Sequence, residues 1–447
     1  MPTSNCPGLL HIVPARDGGI CRLRLPGGSL HAAQADALAL ATEQHATGPI
    51  DLTNRANLQV RGVRHGHETA FSTALIAAGL GPGGQCDLDL HTATALDTVR
   101  NLMISPVAGR DPAALIDTRP IAQAMLDALM AEPRFAQLSP KFALLLDGGE
   151  RLAARTHPHD IWLAAVPAAD GAPLLAFGLA GCPPGDTQQA WRNTPPLGAV
   201  PPVQAPALVQ ALLHAFLDLA QAGQQRMRDL LQTHTPAQLL LRAGQKAAIP
   251  PHAPDWPASD PMLRFGAHPQ RDGQLFWVGA QPPLGRISPA ALRALAQLAR
   301  DVSASATLHI TPWQGVLLPD VAPQNIHYAQ AALLRLGFAC QGNEPLARMI
   351  ACTGSQGCAR ALADVKSDAL ALSQLLDEAQ DIHLSGCMRS CAAAHPSAHT
   401  LLAVAPGRYD LYQRDDGPDF GTCIAREVSI TEAALKMTAA SRSTPDV

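Results

Sequence analysis

The sequence predicts an α+β chain built by tandem duplication, and three observations carry the prediction. The segment "RDGGICRLRLPGGSLHAAQADALALA" from Arg16 is echoed by "RDGQLFWVGAQPPLGRISPAALRALAQLA" from Arg271. Each copy reads as a DG turn, a short strand, a Pro/Gly break and an amphipathic helix. Residues 48–63, "GPIDLTNRANLQVRGV", then align without gaps on "SATLHITPWQGVLLPDV" of the second copy, so that Thr53 meets Thr311 and Val63 meets Val321. Finally, 447 residues exceed what one ordinary core organises, so several structural units are expected.

Taken in order, residues 1–70 form the first copy of the strand and helix unit. Residues 71–192 hold "TALDTVRNLMISPVAG" and "QLSPKFALLLDGGERL", in which strands alternate with helices. Two Pro-rich stretches within 193–261, "NTPPLGAVPPVQAP" and "AIPPHAPDWPASDP", flank a segment with apolar residues at helical spacing and mark the hinge. The second copy of the first unit occupies 262–325, and 326–435 repeats the second, with "GFACQGNEPLARMIACTGSQG" and "DIHLSGCMRSCAAAHP" at the matching places. "GPGGQ" at 81–85 reads as a turn and not as a phosphate loop.

Hydrophobic residues make up 47% of the chain and the net charge is −4, without a Lys/Arg tract, which excludes the basic footprint of a nucleic-acid binder. No apolar run is long enough to span a bilayer, and "MPTSNCPGLLHIVPARDGG" lacks the pattern of a signal peptide, so a cytoplasmic protein without a membrane partner is expected. Thiols stay reduced there, and clustered cysteines point to a metal or redox site. Cys6, Cys21, Cys86, Cys182, Cys340 and Cys423 stand singly and read as small buried apolar side chains.

Cys352 and Cys358 are five residues apart, and Cys387 and Cys391 three. Structural zinc draws its cysteines into knuckles with two to four residues between them. The wider loop "CTGSQGC", with two glycines and small polar residues, suits an iron–sulfur cluster better, with zinc and purely structural cysteines as the alternatives. The helix-like run between the pairs would bring both loops to one end of an α/β unit.

"TNRANLQVRG" reads as a strand whose one face is Thr53, Arg55, Asn57, Gln59 and Arg61, five potential donors without an acid. Such a row fits a ligand rich in carboxylates, since arginine grips carboxylates bidentately.

C-x5-C followed by C-x3-C in the second half of a duplicated chain resembles the sulfite and nitrite reductase family. "TNRANLQVRG", "VRNLMISPVAG" and "LSPKFALLLDGG" resemble further motifs of that family, and the likeness spans nearly the whole chain. It implies two ferredoxin-like half-domains and two α/β domains, with a 4Fe-4S cluster on Cys352, Cys358, Cys387 and Cys391 beside a tetrapyrrole. It also places Arg55, Arg100 and Lys141 where the reductases hold cations around sirohaem and the substrate anion. The second lysine of the family's K-F-K segment is here Ala143, a departure that weakens the reading as a reductase of small anions.

"CPGLLHIVPARDGGICRLRLPGG", "ITPWQGVLLPD" and "HLSGCMRSCAAAHP" resemble the oxygen-dependent branch that acts on precorrin-3A in aerobic cobalamin biosynthesis. That resemblance implies O2 as co-substrate and a mononuclear non-haem iron beside the cluster, with sirohaem as the alternative cofactor. No facial-triad spacing is visible, and His383, His395 and His399 near the cysteines read as structural or surface residues. No G-x-G-x-x-G follows a strand, so electrons are expected from a separate donor, an NADH-linked reductase or a ferredoxin, and the chain is expected to be a monomer.

Overall fold

The computed structural model describes residues 6–82, 90–167, 171–184, 193–245, 256, 259–393, 397–415, 417 and 419–442. Cys86, His395, part of "GPGGQ" and most of the second Pro-rich stretch lie outside the described residues.

The duplication is visible as two pairs of five-stranded sheets. The first sheet runs Val13–Ala15, Gly18–Leu23, Leu58–Val63, Ile50–Leu52, Arg286–Ile287, and its counterpart runs Gly266–Pro269, Phe276–Ala280, Val316–Val321, Thr307–Ile310, Ser29–His31. The outermost strand of each therefore comes from the other copy, Arg286 opposite Asp51 in one and Leu308 opposite Leu30 in the other. A Pro/Gly break makes each exchange. At Gly28 (φ +71°) an added Cβ would run into the carbonyl of Ile310, so only glycine admits the crossing strand.

After each exchanged strand comes a capped helix. His31 Nδ1 accepts from the N–H of Ala33 while Gln34 Oε1 accepts from that of His31, starting Ala32–His45. Ser288 accepts from the N–H of Ala291 and Pro289 takes the first turn of Pro289–Val302. Leu38, Leu292, Leu295 and Ala296 from these helices share one core with Leu58, Val60, Leu308 and Leu318 of the sheets. Neither half-domain closes its sheet or its core alone.

The other two sheets also match strand for strand. Leu102–Ile104, Leu144–Asp147 and His159–Pro167 run parallel and are followed by antiparallel Pro173–Gly181 and Gly198–Val200; Met349–Ala351, Ile382–Ser385 and His399–Ala405 repeat the parallel trio before antiparallel Arg408–Gln413 and Thr422–Val428. The helical signal in the linker becomes Ala205–Leu219, whose Leu208, Leu212 and Phe216 pack on the first of these sheets. Cys21, Cys182 and Cys340 are buried as expected, whereas Cys6 and Cys423 are only half-buried. No helix among the described residues is long and apolar enough to cross a membrane.

One expected element is corrected here. Residues 48–63 are not one strand but a hairpin. Thr53 to Asn57 form its turn, in which the N–H of Thr53 donates to the Asn57 carbonyl and Thr53 Oγ1 accepts from the N–H groups of Arg55 and Asn57. The second copy turns identically, Thr311 bonding Gly315 through both backbone and hydroxyl. Ala56 and Gln314 sit at equivalent places with φ +54° and +63°.

Candidate functional site

The cysteine loops leave the same end of adjacent parallel strands. Cys352 follows Met349–Ala351 directly, and Cys387 comes just after Ile382–Ser385. Leu362 donates to the Gly386 carbonyl and ties the loops together, while the N–H of Gly386 donates to Cys352 Sγ at 3.2 Å. Burial raises the thiol pKa of both Cys352 and Cys391, and Cys391 is raised further by Cys387, Cys352 and Cys358. Neighbouring thiols thus add a mutual repulsion that disfavours the charged form at Cys391. Coordination by iron would relieve it by holding them as thiolates.

Among the described residues no group of three or more His, Cys, Asp and Glu side chains is arranged to hold a single metal ion. Cys352, Cys358, Cys387 and Cys391 lie on two loops tied to each other at one end of the sheet, and thiolates are the ligands an iron–sulfur cluster takes. The facial triad implied for a mononuclear iron is not brought together by the described residues. His383 lies buried on its strand and His399 half-buried on the next, without forming part of such a group.

Cys352 and Cys391 also line a cleft of about 560 Å³ between the first half-domain and both α/β units. Its walls are cationic. Arg22, Arg24, Arg55, Lys141, Arg226, Lys366 and Arg389 line it, against a single acid, Asp51, which is already paired with Arg286 at 2.7 Å. Lys366 donates to the carbonyls of Leu284 and Ala351, and burial pushes its ammonium down to about 8. Arg55 donates to the Pro158 carbonyl at 3.0 Å while its Nη1 is buried without a partner; burial, then the charge of Arg226, pushes it down to about 10.

Of the residues expected to bind a ligand, Arg55, Asn57, Gln59 and Lys141 line this cleft. Arg55 and Asn57 do so from the turn and Gln59 from the strand after it, not as an alternating face, and Lys141 from the segment before Leu144–Asp147. Asn57 also accepts from the N–H of Leu25, and Gln59 from Arg22. Arg61 and Arg100 do not line the cleft. Arg61 is bidentate to Asp17 at 2.7 and 2.8 Å and donates to the Gly357 carbonyl at 2.7 Å, so it clamps the first cysteine loop. Arg100 flanks Asp97, which Arg24 holds at 2.7 Å, and donates to the Arg24 carbonyl.

The cations missed in the sequence fall into two groups. Arg22 and Arg24 sit two apart in "CRLRL", the same period that singled out 53–61, and that signal could have found them. Arg226, Lys366 and Arg389 carry no local signal, because only the packing of distant segments brings them to one place.

The description "Nitrite and sulphite reductase 4Fe-4S domain" matches residues 95–247, and "Nitrite/Sulfite reductase ferredoxin-like half domain" matches 13–78 and 268–336. A ferredoxin–nitrite reductase of Synechococcus elongatus is 32% identical over 397 residues, covering 83% of this chain and 73% of the relative. A precorrin-3B synthase of Sinorhizobium sp. is 29% identical over 412 residues, covering 91% of this chain and 82% of the relative. A chloroplastic ferredoxin–nitrite reductase of Oryza sativa is 28% identical, and the chain spans 63% of its length. The structure of Mycobacterium tuberculosis NirA superposes with TM-score 0.76 at 20% identity, over 95% of this chain and 80% of that one, which establishes the shared fold. The chain belongs to the nitrite and sulfite reductase family, an oxidoreductase family with a 4Fe-4S domain.

Proposed function

We propose that the chain has precorrin-3B synthase activity, hydroxylating precorrin-3A with O2 and closing a γ-lactone with a neighbouring acetate. The observation that carries this reading is at residue 143. The family's K-F-K segment would set a second lysine there, but this chain has Ala143, buried at the edge of Leu144–Asp147. Reducing a small anion by six electrons consumes many protons at one face of the ring, and the loss of a lysine from that face weakens such delivery. It leaves the carboxylate-binding cations of the cleft in place. The relative named precorrin-3B synthase, 29% identical over 412 residues, supports the same reading.

The overall reaction consumes O2, two electrons and two protons, places one oxygen atom on the ring and releases the other as water. A 4Fe-4S cluster on Cys352, Cys358, Cys387 and Cys391 would supply one-electron transfer, drawn from an external ferredoxin-type or NADH-linked donor. The chain's own residues do the rest of what the geometry supports. Arg55 and Lys141 hold carboxylates on one side of the cleft, Arg22 and Arg389 on the side of Cys391, and the cleft walls keep bulk water from the ring.

A second reading, sirohaem-dependent nitrite or sulfite reduction, is favoured by the 32% identity to a nitrite reductase and by Cys391 facing the same cleft. Anaerobically purified protein separates the two. Iron and acid-labile sulfide without a sirohaem spectrum, and O2-dependent conversion of precorrin-3A, are the expected results. A sirohaem Soret band with turnover of nitrite or sulfite would replace the first reading by the second.

A further inference from the structure

Lys366 stands where its own helix does not favour it. It lies in the first turn of Val365–Ser373, the end at which the helix dipole disfavours a cation. Both cysteine loops rest on that turn: an added Cβ at Gly354 would come within 2.7 Å of the Val365 backbone nitrogen, and one at Gly386 within 3.2 Å of the Val365 side chain. The ammonium donates to the carbonyl of Leu284 at 2.8 Å and to that of Ala351, the residue before Cys352, at 3.3 Å. Among the described residues no carboxylate pairs with it. Asp51 is bidentate to Arg286 at 2.7 and 3.2 Å, and Asp364 and Asp368 on either side of it accept from Ser367 and Tyr409. Burial disfavours both the Cys352 thiolate and the Lys366 ammonium, yet the charge of each favours the other.

We propose that Lys366 sets the reduction potential of the cluster on Cys352, Cys358, Cys387 and Cys391, acting as a fixed positive charge beside Cys352. Four thiolates leave a 4Fe-4S cluster with a net negative charge in either redox state, and the electron taken from the external donor enlarges that charge. A cation held close by therefore favours the reduced state and raises the potential. Two features make Lys366 effective in this role. Tied to two carbonyls, its ammonium is kept from swinging into water, and Leu284 and Ala351 are themselves buried, so solvent screens the charge little. The N–H of Gly386 on Cys352 Sγ acts in the same direction. A raised potential eases reduction by a weaker donor. The inference rests on the cluster assignment, which both readings under Proposed function share.

The test uses the full chain with its cluster reconstituted anaerobically, titrated with dithionite and redox mediators while cluster absorbance and EPR are followed. Lys366→Gln keeps a donor for the carbonyls and removes the charge. It is expected to retain iron and sulfide while shifting the one-electron equilibrium about tenfold toward the oxidised state, a potential lower by about 59 mV. Lys366→Arg keeps the charge and should titrate close to the unaltered protein. If Lys366→Gln assembles no cluster, Lys366→Met, which keeps the length of the stem without the charge, decides in its place. An unchanged potential in the neutral variant, or an equal drop in Lys366→Arg, would overturn the role of the charge and leave the cluster assignment standing. Loss of the cluster from both neutral variants would overturn it in favour of a structural strut. No cluster in the unaltered protein would overturn the assignment itself.

Discussion

Replacing Arg61 by alanine tests whether the first cysteine loop is held from outside its own domain. The guanidinium is 4% exposed and makes charge-assisted bonds of 2.7 and 2.8 Å to Asp17 and one of 2.7 Å to the Gly357 carbonyl. Gly357 lies one residue before Cys358, and a Cβ there would meet both Asp17 and Arg61, so the loop is packed onto the ion pair. Removing one partner of a buried pair costs about 3–5 kcal/mol. Asp17 remains 28% exposed and water can take over part of the lost solvation, which puts the cost near the lower end. The carbonyl of Gly357 loses its partner as well, and the strain falls on the loop carrying Cys352 and Cys358. The expected outcome is a loss of about 3 kcal/mol in urea unfolding and a cluster that bleaches faster under chelator. Asp17→Asn should act in the same direction. A cluster of unaltered lifetime in Arg61→Ala, together with weaker porphyrin binding, would refute this reasoning and return Arg61 to the ligand.

Arg55→Ala should weaken uroporphyrin binding by about 10- to 100-fold while leaving cluster absorbance intact, because its free Nη1 is spent on no protein group. Single Cys→Ser changes at Cys352, Cys358, Cys387 or Cys391 should each lower the iron and sulfide content sharply, whereas Cys21→Ser should not, which elemental analysis reads directly. Glu150→Gln should flatten the dependence of stability on pH. Burial, then the charge of Asp147, raises the Glu150 carboxyl to about 8, so its contribution is complete below the ordinary value of 4.5 that it has when unfolded and is lost as pH rises through about 8. Denaturant midpoints between pH 5 and 9 check this, and an equal slope in both proteins would count against it.

How much of this was legible in the sequence depends on where each signal lies. The duplication was, because the two hairpins repeat the same turn chemistry, Thr53 and Thr311 each bonding the residue four places on. The meeting of the two cysteine loops at one end of an α/β unit was, because the helical run between them is local and returns the chain to a parallel strand. The phase of 53–61 was not. Ala56 takes a left-handed φ of +54° without a glycine or asparagine to announce it, so a turn looked like continuous strand. Arg61 looked like a ligand donor for the same reason: a charged residue in a strand pattern shows its period but not its partner, and Asp17 and Gly357 are remote in the chain. The exchange of Ser29–His31 for Arg286–Ile287 between sheets left no trace either, since a strand of two or three residues is compatible with any neighbour.

The two copies explain each other best at the loop after the second parallel strand. In the second copy that loop runs from Gly386 into Cys387 and Cys391, beside the cleft. In the first copy the matching loop begins at Gly148 and is filled by protein: Asp147 accepts from Arg155 at 2.9 Å and from the N–H of Gly149, and Glu150 accepts from that of Gly148. These side chains are almost fully buried, and the apolar patch of Val107, Leu152, Trp277 and Trp313 closes over the region. Asp147 Oδ2 and Glu150 Oε1 stay buried without a hydrogen-bond partner, so the loop buries acid that its own arginine meets only in part. The matching loop of the second copy carries Cys387 and Cys391 in place of those acids. The first copy keeps the short turn that presents Arg55 to the cleft, so the two copies have diverged, one carrying cysteines and the other buried acids with an arginine. That divergence follows from what each copy buries, and Cys391 of one copy and Arg55 of the other line the same cleft.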